Sequence, residues 1–371
     1  MINENYTNNY EVALAILDKL ENGGTGGGGG TEDNTDYKYV NGSFDRAGLK
    51  RIGYTDEEIN YLNANIFLSK EEEQKLKLTD KDFQLASEIN RDNYKTYMIN
   101  SSKIGLRFMP RFEGIDEISN VEKFMNDNTD PGILLYPFSL NTSSSLNSMF
   151  YGNYSMLVAP YFGNTSSKKD FGRLFFSCRS LTVAPPLNTE NGTNFEHFLG
   201  NCISLETMPK YDFSNAIVMY NAFAETRLKY GYYITAPNCK NFSNLFFECP
   251  VINEFEGIDG APSASFGYMF YNCKNLKKIG RLDLTNSTDN AHMFSGCKLL
   301  QNINLVGKLN KNLSLRNCKN LDTESVEKIV NAALATENTD AKTIEFNTAV
   351  QSVVQPYTDA LIAKNWTINF G

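Results

Sequence analysis

The sequence predicts an α/β solenoid of about ten coils, each 23–25 residues long, with a small helical module before it and an α/β cap after it. Three observations predict this. The run Met269-Phe270-Tyr271-Asn272-Cys273-Lys274-Asn275-Leu276, followed by Ile279, returns as Met293-Phe294-Ser295-Gly296-Cys297-Lys298-Leu299-Leu300, followed by Ile303. With the Met position as anchor, copies begin at Met149, Leu174, Phe198, Ala222, Leu245, Met269, Met293 and Ser314, in steps of 25, 24, 24, 23, 24, 24 and 21 residues. Six of the 7 cysteines, Cys178, Cys202, Cys249, Cys273, Cys297 and Cys318, share one slot of that repeat.

Weaker copies extend the register backwards. Phe124-Met125-Asn126-Asp127-Asn128 precedes Met149 by one period, and Ile99 precedes Phe124 by another, with Leu106, Met109 and Pro110 at the later positions. Pro110, Pro160, Pro185 and Pro209 share a slot that Gly280 also occupies. The array is therefore assigned to 94–321. Equal slots of a solenoid lie one above another, so the cysteines form a buried structural column, each packing as a small apolar residue with a weak S–H donor. Asn128, Asn153 and Thr226 fill the slot elsewhere and are expected to hydrogen-bond a turn of the coil below. Cys239 lies outside the column, and an odd thiol count argues against complete disulfide pairing.

Residues 1–21 hold a short amphipathic helix over 9–21, with Val12, Ala13, Ile16, Leu17 and Leu20 on one face. So short a helix is marginal alone and needs a partner for its stripe. Residues 22–36, with the run Gly26-Gly27-Gly28-Gly29-Gly30, form a flexible linker whose root-mean-square span is roughly 20 Å for about 14 residues. A sticky helix on a glycine tether is the layout of a docking peptide, with Val12, Ile16, Leu17 and Leu20 as its contacts; a plain polar tail is the alternative.

Residues 37–93 read as a small helical module capping the array. Thr55-Asp56-Glu57-Glu58 is a capping box before Ile59 and Leu62, and Thr79 opens a second helix with Phe83, Leu85, Ala86 and Ile89 apolar. Residues 322–371 form the other cap. Thr323 is expected to cap a helix over 324–335, Thr343–Phe346 to be a strand, 348–364 to be helical with Val350, Val353, Val354, Leu361 and Ile362 inward and Pro356 as a place for a kink, and Trp366–Phe370 to close as a strand.

The chain carries 25 Phe and 20 Tyr against 1 Trp, and its net charge is −8 without a basic block, so nucleic acid is not an expected partner. No run reaches the length of a membrane span, and the opening Met1-Ile2-Asn3-Glu4-Asn5-Tyr6 lacks a secretory pattern, so folding in a cytoplasm is expected. Cysteines some 24 residues apart with only His197 and His292 offer no metal cluster, and no metal or other cofactor is expected. The two histidines occupy equal slots, one residue before an anchor, which makes them a repeat position and not a catalytic pair. No GxSxG, HExxH or phosphate-loop motif occurs. Acidic pairs such as Glu254 and Glu256 or Asp127 and Asp130 read as solvated carboxylates in preference to glycosidase groups. A non-enzymatic protein follows.

The repeat is violated at Arg227-Leu228-Lys229-Tyr230-Gly231-Tyr232-Tyr233-Ile234. Lys229 stands there in the leucine slot. Tyr230, Tyr232, Tyr233, Arg227 and Lys229 form the candidate ligand-binding set, since aromatic rings stack on sugars or anchor protein partners and cations reach acidic groups. Packing of the tyrosines on neighbouring coils is the competing reading. Lys277, Lys278, Gln301 and Asn302 form a second, exposed strip.

The run M-F-x-x-C-x-x-L-x-x-I, the stretch Tyr211-Asp212-Phe213-Ser214-Asn215 and the closing Lys364-Asn365-Trp366-Thr367-Ile368 resemble the BspA-like leucine-rich repeats of bacterial surface proteins over about 94–371. That resemblance implies a leucine-rich-repeat fold and an adhesive role. Asn41 to Asn65, with Gly48-Leu49-Lys50-Arg51-Ile52-Gly53-Tyr54-Thr55, is similar to modules that precede such repeats in fibre and tail proteins of phages infecting gut bacteria. The combined expectation is a phage virion protein, assembled in the host cytoplasm, docked to other virion proteins through its N-terminal helix and presenting the array to a host-surface glycan or protein. It can also self-associate as a homo-oligomer, and no membrane insertion is expected. A bacterial cell-surface adhesin is the second reading, and a glycan-cleaving tailspike the third.

Overall fold

The computed structural model describes residues 37–39, 46–51, 53–65, 67–69, 78–90, 92–93, 96, 145–154, 156, 159, 162, 164–260 and 263–371. The docking helix with Val12, Ile16, Leu17 and Leu20, the glycine linker, the early copies at Ile99 and Phe124, and Pro110 and Pro160 lie outside them.

The N-terminal module holds β1 (Tyr37–Tyr39), α1 (Arg46–Arg51), α2 (Asp56–Asn65), β2 (Phe67–Ser69) and α3 (Asp80–Glu88). Both capping signals close as reciprocal bonds: Glu58 N donates to Thr55 Oγ1 at 3.2 Å and Thr55 N to Glu58 Oε2 at 2.8 Å, and Thr79 and Asp82 repeat the arrangement. The antiparallel β1–β2 ribbon is an addition to the helices that periodicity announces. Leu49, Tyr54 and Ile59 are buried, and Ile89 joins the same apolar cluster as the repeat units that follow.

From Ser145 onward the chain is built of units stacked in parallel, each bonded to the next some 24 residues on. Around the anchors from Met149 to Met269 the backbone N–H groups divide into two sets. Leu146, Ser148, Phe150 and Gly152 donate forward to the carbonyls of Asp170, Gly172, Leu174 and Phe176, while Met149, Tyr151 and Asn153 donate back three residues within their own turn. The same alternation recurs at the units anchored on Leu174, Phe198, Ala222, Leu245 and Met269. Few backbone donors are left over, as a buried backbone requires. The turn places two residues of each unit in the left-handed region, one before the anchor and one three after it. The pairs are Ser148 and Gly152, Arg173 and Ser177, His197 and Asn201, Asn221 and Glu225, Asn244 and Glu248, Tyr268 and Asn272, and His292 and Gly296. That conformation costs a residue with a Cβ about 1 kcal/mol. It explains why Asn and Gly recur there, and it gives the two histidines their common slot a structural cause.

Side chains repeat with the backbone. The ring of Phe246 stacks on Phe223 at 5.4 Å and on Phe270 at 5.8 Å, and Phe270 stacks on Phe294 at 6.1 Å. Four residues before the anchor, Asp170, Asn194, Asn241 and Asp289 each accept the N–H two residues on, a turn that sets the corner. All 7 cysteines are free and buried. In the column, Cys178, Cys202, Cys249, Cys273 and Cys297 donate their S–H to the carbonyls of Phe150, Phe175, Phe223, Phe246 and Phe270, all within 3.0–3.1 Å, in the unit before. Cys318 reaches Phe294 O only at 4.0 Å. Of the other slot residues, Asn128 lies outside the described residues, and Asn153 and Thr226 do not bond the unit below as expected. Thr226 Oγ1 donates to Phe223 O in its own turn, and Asn153, fully buried, has no side-chain partner among the described residues.

The opposite wall becomes a sheet only where the proline column ends. Pro185 and Pro209 cannot donate to a ladder, and beside them the wall shows the single bridge Val183–Thr207. In the equivalent places the next units carry Tyr232, Glu256 and Gly280, and the strands β3 (Tyr230–Gly231), β4 (Ile234–Ala236), β5 (Glu254–Gly260), β6 (Lys278–Asp283) and β7 (Asn302–Val306) pair in parallel.

The C-terminal cap continues the stack with β8 (Leu313–Leu315), α4 (Thr323–Leu334), β9 (Lys342–Phe346), α5 (Gln351–Val354), α6 (Thr358–Ala363) and β10 (Trp366–Phe370), in the parallel order β10-β9-β8. Asp322, not Thr323, caps α4: its carboxylate accepts Ser325 N at 2.8 Å, three residues on, and it also takes the amide of Asn302. Residues 348–364 are not one helix. Pro356 lacks an N–H, and a 3₁₀ turn over Gln355–Tyr357 separates α5 from α6. Ile362 is consequently 57 % exposed, while Val350, Val354 and Leu361 face inward. Trp366 is buried and its Nε1 donates to Ala333 O at 3.0 Å, tying the last strand to α4.

Candidate ligand-binding face

The tyrosine cluster sits where one unit is a residue short. Two residues separate Cys202 from Leu205, Cys249 from Ile252 and Cys273 from Leu276, but one separates Thr226 from the next buried apolar residue. That residue is Leu228, 1 % exposed. Lys229 is therefore not in the leucine slot. Its N–H donates to Glu206 O at 3.4 Å and its carbonyl accepts Asn253 N at 3.1 Å, which puts it in the outward column of Glu206, Asn253, Lys277 and Gln301. The strip of Lys277, Lys278, Gln301 and Asn302 thus continues the tyrosine face along the same columns and is not a separate surface.

Gly231 pairs with Phe255 where other units place Ile279 and Ile303. A Cβ on Gly231 would lie 2.7 Å from the Phe255 ring, which occupies the space a side chain would take. Tyr230 and Tyr232 flank it, with ring centroids 5.3 Å apart at 76°. Tyr230 donates its hydroxyl to Glu256 Oε1 at 2.5 Å. Tyr233 is held in three places. Its N–H donates to Glu256 Oε2 at 2.7 Å, its hydroxyl to Asp259 Oδ2 at 2.7 Å, and its ring edge passes over Gly257, where a Cβ would stand 3.0 Å away. Gly257 cannot be replaced without strain, since its φ is +135° and a Cβ would also meet the Arg281 backbone at 2.6–2.7 Å. All three tyrosines are half-buried.

The charges around the rings are engaged. Lys229 pairs with Glu206 at 2.6 Å, Lys278 with Glu254 at 2.6 Å, and Arg281 with Asp259 at 3.0 Å and Asp283 at 3.7 Å. The Tyr233 hydroxyl first, and Arg281 with it, hold the Asp259 carboxyl below its usual range against the opposing effect of partial burial. Partial burial and then the bond to Asp259 push the Tyr233 phenol up to about 12; burial and Glu256 push Tyr230 in the same direction. Both phenols therefore keep their protons near neutrality and spend them on carboxylates.

Of the expected set, the structure brings Tyr230, Tyr232 and Tyr233 together. Lys229 lies beside them, neutralised by Glu206. Arg227 is exposed and stands between Thr226 and the buried Leu228. The carboxylates that position the rings were not in the expected set, and Glu254 and Glu256 had read as solvated groups. They are visible at an offset of one period: Glu256 and Asp259 each follow their tyrosine by 26 residues. Among the described residues no group of three His, Cys, Asp or Glu could hold a metal ion, and no helix is long and apolar enough to cross a membrane. No family model, curated protein or solved structure matches the chain.

Proposed function

We propose that residues 94–371 form a BspA-like leucine-rich-repeat solenoid and that the chain is a phage virion protein which attaches to a host-surface glycan or protein through the Tyr230–Tyr232–Tyr233 face. The repeat reading is supported by hydrogen bonds that step about 24 residues from unit to unit and by Phe and Cys columns that bury equal slots. The attachment reading is carried by one observation: the half-buried rings of Tyr230 and Tyr233 are fixed on an outward sheet face by carboxylates of the next unit, while Tyr232 packs against the apolar core and meets the ring of Tyr230. Fixed rings give contact area at low entropic cost, which suits binding. The carboxylates of this face are occupied as hydrogen-bond acceptors and ion-pair partners, an arrangement that serves positioning better than proton transfer. The virion assignment rests on the sequence resemblance of 41–65 and on the helix and glycine linker that the sequence predicts over 9–36. Two measurements test it: mass spectrometry of purified particles for this chain, and binding of the purified protein to host cells with Tyr230, Tyr232 and Tyr233 replaced by Ala. Absence from particles removes the virion role, and unchanged cell binding by a folded triple variant removes this face as the attachment site.

A further inference from the structure

We infer that the ligand of the tyrosine face is a neutral, polyhydroxylated glycan and not an acidic one. The inference rests on the attachment reading above and names its ligand class. Residue spacing alone had left acidic sugars open, because Arg227 and Lys229 adjoin the tyrosines. The geometry closes that route for the cations beside the rings. Lys229 is bound to Glu206, Lys278 to Glu254 and Arg281 to Asp259 and Asp283. An anionic ligand would have to detach one of these cations from its own carboxylate, exchanging one ion pair for another with little net gain. Arg227 precedes the buried Leu228, and Lys277 lies two units on from Lys229 in the outward column.

The hydrogen-bonding capacity that Tyr230 and Tyr233 leave is of one kind. The hydroxyl protons of Tyr230 and Tyr233 point into Glu256 and Asp259, so both phenolic oxygens turn only lone pairs outward. The carboxylates beside them are acceptors as well. A sugar supplies what this face lacks, hydroxyl donors at its edge and C–H groups on its flat side for the ring of Tyr233, which lies along β5 from Glu256 to Asp259. A sulfate, phosphate or uronate brings further acceptors to these oxygens. A free ammonium group is the other candidate for acceptors beside aromatic rings. Here, apart from Glu256, each of the carboxylates named already carries a cation, and Glu256 is filled by the Tyr230 hydroxyl and the Tyr233 N–H.

The test uses the full chain and three immobilised polymers of known chemistry: a neutral mannan or dextran, polygalacturonate, and chitosan, with host cells in parallel. The expected result is binding to a neutral polymer that changes little between roughly 0.05 and 0.5 M salt, since no ion pair with the ligand is made. Tyr233→Phe, which keeps the ring and frees it from Asp259, should weaken that binding by about tenfold with the melting transition in place. Tyr232→Ala and Tyr233→Ala should abolish it. Binding confined to polygalacturonate and lost with salt, or confined to chitosan, overturns the neutral-glycan inference and leaves attachment standing. Cell binding without any polymer binding, and sensitive to protease treatment of the cells, does the same in favour of a protein ligand. Loss of every interaction, cells included, overturns the attachment reading itself.

Discussion

The thiol column makes the stack sensitive to alkali in a way that one variant can isolate. Cys273 is fully buried, and burial, helped by its neighbours Cys249 and Cys297, pushes its thiol well above the ordinary value of 9.0. The folded chain therefore keeps a proton that the unfolded chain releases. The stabilisation is complete below about pH 9 and is lost as pH rises from there toward the folded value. Going from about pH 7.5 to about pH 9.5 should remove on the order of 1 kcal/mol for this thiol alone, and about 5 kcal/mol for the six column thiols together if each stays protonated in the fold. Cys273→Ala removes the S–H bond to Phe246 O and leaves a small cavity, a cost of about 2 kcal/mol at neutral pH. The variant has no thiol to ionise, so its deficit against the parent should shrink by on the order of 1 kcal/mol at the higher pH. Urea unfolding of both proteins in a phosphine reductant, at the two pH values, measures the difference. Thiol counting with an aromatic disulfide reagent should find none of the 7 cysteines reactive before unfolding and all of them after it. A deficit that is the same at both pH values, or thiols that react in the folded protein, refutes the sealed column.

Cys273→Ser should cost only about 1 kcal/mol, less than Ala, because Phe246 O is already placed to accept the hydroxyl; denaturant midpoints of the pair decide the order. Gly280→Ala puts a Cβ 1.7 Å from Glu256 O, so β5 and β6 must part, with a loss of about 3 kcal/mol and release of the Tyr230 and Tyr233 contacts to Glu256; an unchanged melt would show the strands approach differently. Deleting residues 1–22, or replacing Ile16 and Leu17 with Asp, should leave the melting of the repeat units unchanged and abolish incorporation into particles. Normal incorporation would move the anchor to 37–93.

The period was legible because stacking makes every unit solve the same problem with the same residues: a Phe beside the anchor, a small S–H donor under the turn, an Asx residue at the corner. The cap at Asp322 was less legible, because a carboxylate three residues before Ser325 carries no periodic signal; Pro356 marked a kink in the following helix but not the 3₁₀ turn that divides it. The site was half legible for a related reason. The tyrosines stand out as a breach of the repeat, but what the breach does depends on a register that local spacing misreads by one residue. Counting forward from Thr226 puts Lys229 in the apolar slot; the missing residue moves Leu228 there instead and turns Lys229 outward toward Glu206. That shift fixes Gly231 opposite Phe255, and the absent side chain at Gly231 and Gly257 gives the Phe255 and Tyr233 rings their places. The carboxylates that hold the tyrosines belong to a segment some 26 residues away, invisible to any window shorter than one period. In a repeat array the functional neighbours of a residue are therefore best sought one period along the chain, where a deletion in one unit is answered by glycine and carboxylate in the next.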